Sequence, residues 1–192
     1  YYSGRSDQNS YWIGADQALD PATYCIVIPN LFGNGVSSSP SNTPVPFCGS
    51  AFPRLTYLDN VTCQWRMIQS VFGVETVHAV IGYSMGAMQA YQWAAQFPDV
   101  VQRFVAVCGS ARTSEHNQLF IDAVCAALRT DAAWHGGNYN FPPTKGLEAF
   151  SVAYAAWFAS QQFYSERMYR RLGMDDLAGV LAFAKQIFMS HD

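Results

Sequence analysis

Charged residues are scarce in this sequence. Of its 192 residues, 11 are Lys or Arg and 14 are Asp or Glu, which gives a formal net charge of −3. Without a basic run, we expect neither nucleic acid nor an anionic membrane as a partner. Every apolar stretch is interrupted well before the ~18 residues that a membrane-spanning helix needs. The opening YYSGRSDQNS has no apolar segment of signal-peptide type.

Cysteines are few, odd in number and without any C-x-x-C spacing. They are Cys25, Cys48, Cys63, Cys108 and Cys125. This pattern excludes a disulfide scaffold and a structural zinc site, so we expect no metal. Cys25 and Cys108 lie in predicted strands, where a thiol is usually a small core hydrophobe. A reducing, cytoplasmic compartment is the expectation. The chain begins without Met and reads as an internal piece of a longer protein.

The first part of the chain alternates between strand and helix patterns. Short apolar runs predict strands at 24–29, 76–82 and 101–110, and three- and four-residue spacing predicts helices at 56–73 and 85–97. Such alternation is typical of an α/β fold with a parallel sheet covered by helices on both faces.

After Ser110 the strand pattern ends. The remaining sequence predicts helices only, at roughly 113–130, 146–164 and 175–189. We therefore expect two parts, a partial α/β core at 1–110 that contains the candidate site, and a helical cap at 111–192.

A serine stands between two glycines where a predicted strand becomes a helix, in Gly82-Tyr83-Ser84-Met85-Gly86. One reading is a tight turn that only needs small residues. The other is a nucleophile elbow, in which small neighbours let a strained turn hold the serine hydroxyl above the sheet edge. The strand before and the helix after favour the elbow. The amide of Met85, at the helix N-terminus, then becomes one oxyanion donor. A second donor would come from the loop at positions 1–4, either Tyr2 or Ser3.

The four histidines give no evident general base. A serine hydroxyl needs such a base at neutral pH. His78 lies mid-strand and is expected to be buried and hydrogen-bonded, while His116 and His135 read as surface or loop residues. His191 precedes Asp192 but follows no strand. In folds with a nucleophile elbow, the catalytic acid comes before the catalytic histidine in the chain, and each follows a strand of its own.

Several longer stretches resemble the homoserine O-acetyltransferases, a branch of the α/β-hydrolase superfamily. They are YWIGADQALDPATYCIVIPNLFGNGVSSSPS, FPRLTYLDNV, VIGYSMGAMQAYQWAAQFPDVVQRFVAVCGSARTSEHN and RTDAAWHGGNY. The resemblance implies an α/β-hydrolase fold with a helical cap, whose C-terminal strands are missing from this chain. It also implies a Ser-Asp-His triad with Ser84 as nucleophile, its Asp and His lying in that missing segment. The oxyanion donors would be the amides of Met85 and Tyr2.

Two departures from that family concern the substrate. The family usually has Gly-Gly-Ser at the elbow, where this chain has Tyr83 before Ser84. Its cap arginine, which holds the carboxylate of an amino-acid substrate, falls at Ser151, and serine cannot replace a guanidinium in that role. Tyr83 and Ser151 are thus candidate substrate-pocket residues, with an uncharged substrate expected.

The sequence supports a serine acyl-transfer enzyme working through an acyl-Ser84 intermediate, either an ester hydrolase or an O-acyltransferase. Its substrate would be a small ester, thioester or alcohol. No bound cofactor is expected, although acetyl-CoA or another acyl-CoA could serve as a substrate, and a homodimer is compatible with the sequence. The alternatives are a homoserine O-acetyltransferase proper and a non-catalytic binding module on a hydrolase scaffold.

Overall fold

The structure, a computed structural model, describes residues 5–8 and 12–189, and these fall into two compact units. One unit comprises the residues up to Cys48 together with Phe52–Thr113. The other comprises Gly49–Ala51 and the residues from Ser114 onward. The predicted Tyr2 lies outside the described residues.

The first unit contains two α-helices and a parallel pair of strands. In chain order these are α1 (Tyr57–Phe72), β1 (Val80–Tyr83), α2 (Met85–Gln96) and β2 (Phe104–Val107), with a short 3-10 helix at Ser6–Gln8. The strands pair from Val80 opposite Phe104 to Tyr83 opposite Val107. Of the three predicted strands, those at 76–82 and 101–110 are present but shorter than the apolar runs suggested. The α/β expectation is confirmed here.

Helix α1 begins and ends where its sequence signals predict. The Thr56 side chain accepts from the amide of Asp59, while the Asp59 carboxylate accepts from the Thr56 amide at 2.7 Å, which forms a capping box. At the other end Gly73 takes a left-handed φ of 64°, which glycine adopts without steric cost. Thr56 is therefore the N-cap of α1.

Helix α2 packs against both strands and against α1. Ala87 and Ala90 are fully buried on α2, as is Val61 on α1. The Trp93 indole donates to Gln64 Oε1 at 2.9 Å, and Gln64 in turn donates to the buried Gln89 at 3.3 Å. A buried amide is costly without partners, so this chain of bonds fixes α2 on α1.

The prediction for residues 24–29 is wrong. The segment forms no strand, and Tyr24, Cys25 and Ile28 are exposed. An apolar run becomes a strand only when another strand supplies ladder hydrogen bonds, and none of the described residues does so here. The expected burial of Cys108 is also wrong, since this residue is exposed just beyond β2.

The described residues of the second unit form helices joined by irregular segments and no strand, as the sequence predicts. Its α-helices are α3 (Glu115–Arg129), α4 (Thr144–Ala155), α5 (Gln161–Ser165) and α6 (Leu177–Phe188), and 3-10 helices lie at Gly49–Ala51, Ala132–Gly137 and Met168–Leu172. The helix predicted at 146–164 is divided in two, because α4 ends at Ala155 and Ser160 caps a new helix by accepting from the Phe163 amide. That this unit acts as a cap stays a prediction.

Helix α4 is the centre of the second unit and packs against both α3 and α6. Gly146 allows the close approach, because a Cβ there would lie 2.4 Å from the Leu128 carbonyl oxygen. Phe120 stacks on Trp157 with ring centroids 4.0 Å apart, and Tyr154 lies 4.5 Å from Phe188. These aromatic contacts form the apolar interior of the unit.

Candidate functional site

Ser84 occupies the turn between β1 and α2. Tyr83 is the last residue of the strand and Met85 the first of the helix, as the sequence predicts. The Ser84 backbone has φ 55° and ψ −121°, a combination that non-glycine residues rarely adopt. Such a conformation costs of order 1–3 kcal/mol and is typical of functional sites.

The first motif glycine, Gly82, makes this turn sterically feasible. A Cβ on Gly82 would lie 1.9 Å from the carbonyl oxygen of Gly86 and 2.6 Å from the amide nitrogen of Ala87. No side chain fits there without moving the backbone. The glycine at 82 is therefore required by the close approach of strand and helix, as the elbow reading expects.

The backbone of Ser84 is held from both sides of the turn. Its amide donates to the carbonyl of Val107 at 2.9 Å, and its carbonyl accepts from the amides of Ala87 at 2.9 Å and Met88 at 3.3 Å. Its side chain does not cap α2. The half-buried hydroxyl is thereby left available for chemistry at the positive end of a helix.

Tyr57 supports the first turn of α2 from α1. Its hydroxyl donates to Met88 Sδ at 3.2 Å. Burial raises the pKa of Tyr57 above its usual 10.0, because the phenolate is poorly solvated there. The phenol therefore stays protonated around neutral pH and keeps this contact.

The two candidate pocket residues differ in exposure. Tyr83 is 38% exposed at the end of β1. Ser151 is fully buried in α4, and its hydroxyl donates to the Leu147 carbonyl at 2.7 Å. A substrate would reach that hydroxyl only if α4 moved. The pocket roles of both residues stay predictions.

His78 differs from its expected environment. It is exposed, its Nδ1 lies 3.5 Å from Arg103 Nη1, and its ring lies 5.4 Å from that of Tyr24. His78 precedes β1 and Ser84 follows it, so the four residues of that strand, about 13 Å at ~3.3 Å per residue, lie between the two. His78 cannot reach the Ser84 hydroxyl, so it is not the base in this arrangement.

Two other histidines, His116 and His135, belong to the second unit. His116 is exposed near the start of α3, and His135 is exposed with a φ of 42° inside the 3-10 segment Ala132–Gly137. His191 lies outside the described residues. Within residues 5–8 and 12–189, no three His, Cys, Asp or Glu side chains group as metal ligands would. None of the helices in the described part is both long and apolar enough to cross a membrane.

Sequence reasoning missed Gly109, which lies against the elbow from the neighbouring strand. A Cβ at this position would lie 2.5 Å from Ala87 Cβ and 2.8 Å from the carbonyl oxygen of Ser84. The only local signal is a glycine directly after the apolar run of β2. That signal does not identify which atoms the glycine approaches.

A family model described as the alpha/beta hydrolase fold matches residues 4–168. The chain belongs to the α/β-hydrolase family. The predicted fold class is confirmed, with its parallel strands flanked by helices.

Relatives of this chain include both hydrolases and transferases. An ethyl acetate hydrolase from Pseudomonas veronii is 36% identical over 100% of this chain and 56% of its own length. A homoserine O-acetyltransferase from Zymomonas mobilis is 34% identical over 88% of this chain and 47% of its own length. The resemblance to homoserine O-acetyltransferases is thereby confirmed.

A solved acetylester hydrolase from Corynebacterium glutamicum superposes with a TM-score of 0.94. The two are 37% identical over 100% of this chain and 56% of that one. The chain thus spans about half the length of the relatives it matches.

Proposed function

We propose that this chain supplies the nucleophile and one oxyanion donor of a serine ester hydrolase that acts on small acetyl esters. The observation that carries the proposal is the backbone of Ser84, at φ 55° and ψ −121° between a strand and a helix. An ordinary tight turn could use glycine at that position and would not need to maintain this strain.

In the proposed reaction, Ser84 Oγ attacks the carbonyl carbon of the ester while its proton passes to a base. The resulting oxyanion accepts a hydrogen bond from the Met85 amide, the first in α2, and the alcohol then departs with a proton. Water attacks the acetyl-serine in the second half, which releases acetate and restores the hydroxyl. We infer that the imidazole base comes from outside the described residues, as the resemblance to the homoserine O-acetyltransferases implies. His78, the histidine nearest to Ser84 in the sequence, lies at the opposite end of β1.

Two observations favour water over an amino-acid acceptor. No Arg or Lys occurs between Gly146 and Gln162, so a carboxylate clamp is missing from the stretch where the resemblance places it. The relative from Pseudomonas veronii, which matches the whole chain, is named for hydrolysis of ethyl acetate. We further propose that Tyr83, at the end of β1, limits the size of the acyl group.

Homoserine O-acetyltransferase activity remains the second candidate, because the Zymomonas mobilis relative bears that name. In that case acetyl-CoA would donate the acetyl group, and an alcohol rather than water would attack the acetyl-serine. The two functions share the elbow chemistry and differ in the second acceptor. A cytoplasmic location and a homodimer stay predictions.

Labelling by a fluorophosphonate tests the proposal in the complete gene product. We expect stoichiometric labelling at Ser84 in the wild type and none in Ser84→Ala. Ser70→Ala is the control, because that exposed hydroxyl donates to the Met67 carbonyl within α1. A complete protein that is never labelled would instead favour the binding module.

The acceptor is tested with two assays on the same preparation. Hydrolysis of ethyl acetate should proceed without any added acceptor. Faster transfer from acetyl-CoA to homoserine than to water would overturn the hydrolase assignment and leave the nucleophile assignment intact.

A further inference from the structure

The carboxyl ends of β1 and β2 lie side by side and are tied together at Ser84. Tyr83 pairs with Val107 in the parallel register, and the Ser84 amide donates to the Val107 carbonyl at 2.9 Å. The next residue after each strand has a positive φ, 55° at Ser84 and 53° at Cys108. The backbone therefore turns sharply after each of the two strands, at the same edge of the sheet.

Gly109 follows that second turn and lies against the elbow. Its Cα has no room for a side chain, because an added Cβ would meet Ala87 Cβ at 2.5 Å, the Ser84 carbonyl oxygen at 2.8 Å and the Met88 amide nitrogen at 3.4 Å. Its φ lies outside the left-handed region. The requirement for glycine is thus one of space and not of backbone conformation.

The position of the Ser84 carbonyl matters because of peptide planarity. The carbonyl of Ser84 and the amide of Met85 belong to one planar unit, so a push on the oxygen also tilts the N–H. An oxyanion donor acts only when it lies about 2.7–3.1 Å from the oxyanion.

We infer that Gly109, just after the neighbouring strand β2, is a positioning residue. It fixes the direction of the oxyanion donor, the Met85 N–H. This inference rests on the proposed function of Ser84. Gly109 lets the segment that follows β2 run directly against the Ser84–Met85 peptide, and the hydrogen bond to Val107 holds the amide of Ser84. Together they fix the direction of the Met85 N–H without contacting substrate.

The alternative is that Gly109 only accommodates the helix by leaving room for Ala87. Experiment can distinguish this packing role from the positioning role, because the first depends on the Cβ of Ala87 and the second on the carbonyl oxygen of Ser84. Ala87→Gly removes the Cβ that Gly109→Ala would strike at 2.5 Å, but it leaves the 2.8 Å conflict with the Ser84 oxygen. The double variant therefore relieves the packing conflict and keeps the peptide displaced.

The experiment compares wild type, Gly109→Ala, Ala87→Gly and the double variant, all in the complete gene product. We expect kcat for ethyl acetate to fall about 10- to 100-fold in Gly109→Ala, with KM within threefold of wild type. Affinity for a trifluoromethyl ketone, which forms a tetrahedral oxyanion adduct with the serine, should fall by the same factor as kcat. The double variant should regain most of the lost melting temperature but not the lost kcat. Gly179→Ala is the control, since its nearest neighbour would be the Met174 Cβ at an ordinary 3.4 Å.

Three outcomes would overturn the inference. Gly109→Ala could keep kcat within twofold, the double variant could recover kcat together with the melting temperature, or both could fail to fold, which would assign Gly109 to global stability. Failure of the proposed function looks different, because the wild type would then not be labelled at Ser84 at all.

Discussion

The N-terminus of α2 differs from those of the other α-helices in the described residues. Four of them begin with a side-chain cap, from Thr56, Ser114, Ser160 and Asp176. At α4, the Asp131 carboxylate accepts from the Gly146 amide at 2.9 Å. Helix α2 has no side-chain acceptor, although a serine stands at its N-cap position. In four helices the N-cap side chain accepts from a first-turn amide, and at α4 Asp131 does so from outside the helix. At α2 no such side chain is present, which leaves a first-turn amide for the proposed oxyanion.

Of the changes considered, removing the Ser84 hydroxyl at the uncapped start of α2 should have the largest effect on activity. We expect Ser84→Ala to lower kcat for an acetyl ester by about 10⁴–10⁶, with the melting temperature unchanged or raised. Steady-state kinetics on the complete gene product checks this, with Ser70→Ala as control. Retention of more than a hundredth of the wild-type kcat would assign the chemistry to another residue.

Replacing the residue before the uncapped helix start should change selectivity. Tyr83→Gly restores the residue usual in the acetyltransferases, and we expect it to raise the butyrate-to-acetate ratio of kcat/KM by about tenfold. A series of p-nitrophenyl esters measures that ratio. An unchanged ratio would mean that the Tyr83 side chain does not limit the acyl group.

Relieving the strain at the uncapped start should stabilise the protein while removing activity. Glycine accepts a φ of 55° far more readily than alanine does. We expect Ser84→Gly to exceed Ser84→Ala in free energy of unfolding by about 1–3 kcal/mol. Urea denaturation of the two inactive variants gives the difference. Equal stabilities would show that the turn is not strained.

Removing the side-chain cap of another helix should lower stability without affecting the chemistry at Ser84. Thr56→Ala and Ser114→Ala should each lower the free energy of unfolding by about 1 kcal/mol and leave the rate of Ser84 labelling unchanged. Thermal melts and labelling kinetics measure the two quantities on one sample. Slower labelling of Ser84 in either folded variant would contradict the expectation that these caps stabilise the fold without affecting the reactivity of Ser84.

The smallest expected effect is a pH dependence at α4. The amides of Ala133 and then Gly146 lower the pKa of Asp131 below its usual 3.8. A lowered pKa stabilises the folded state above the unfolded value, and this contribution is lost as pH falls through the folded pKa. The stability difference between wild type and Asp131→Asn should thus be constant near neutral pH and shrink below pH 3.8. A difference that grows on acidification would contradict the assignment.

Local signals predicted what is local in this fold. The start of α1 at Thr56, its stop at Gly73 and the turn at Ser84 are each read from a few adjacent residues, because neighbouring backbone groups determine them. These signals placed α1 and the strand-to-helix turn at Ser84 correctly.

Features that depend on distant neighbours were not predictable. Residues 24–29 look like a strand, but pairing requires a partner that the run itself does not specify. His78 was expected to be buried but is exposed, because burial depends on which distant segments pack over a residue, and its neighbours Tyr24 and Arg103 lie far from it in the sequence. Gly109 was missed because its conflict is with Ser84 and Ala87, some twenty residues earlier in the chain.

The single peptide that joins Ser84 to Met85 limits how an enzyme built on this elbow can diversify. That unit starts a helix, bonds to it through the Ser84 carbonyl and carries the proposed oxyanion donor. A substitution that adjusts one of these roles disturbs the others at once. Under the proposed function, we therefore expect new acceptors and acyl groups to be acquired through positions outside this peptide, such as the candidate pocket residue Tyr83, while the residues that break the ester bond stay unchanged. Hydrolysis and acetyl transfer can then diverge among relatives without any change at the serine.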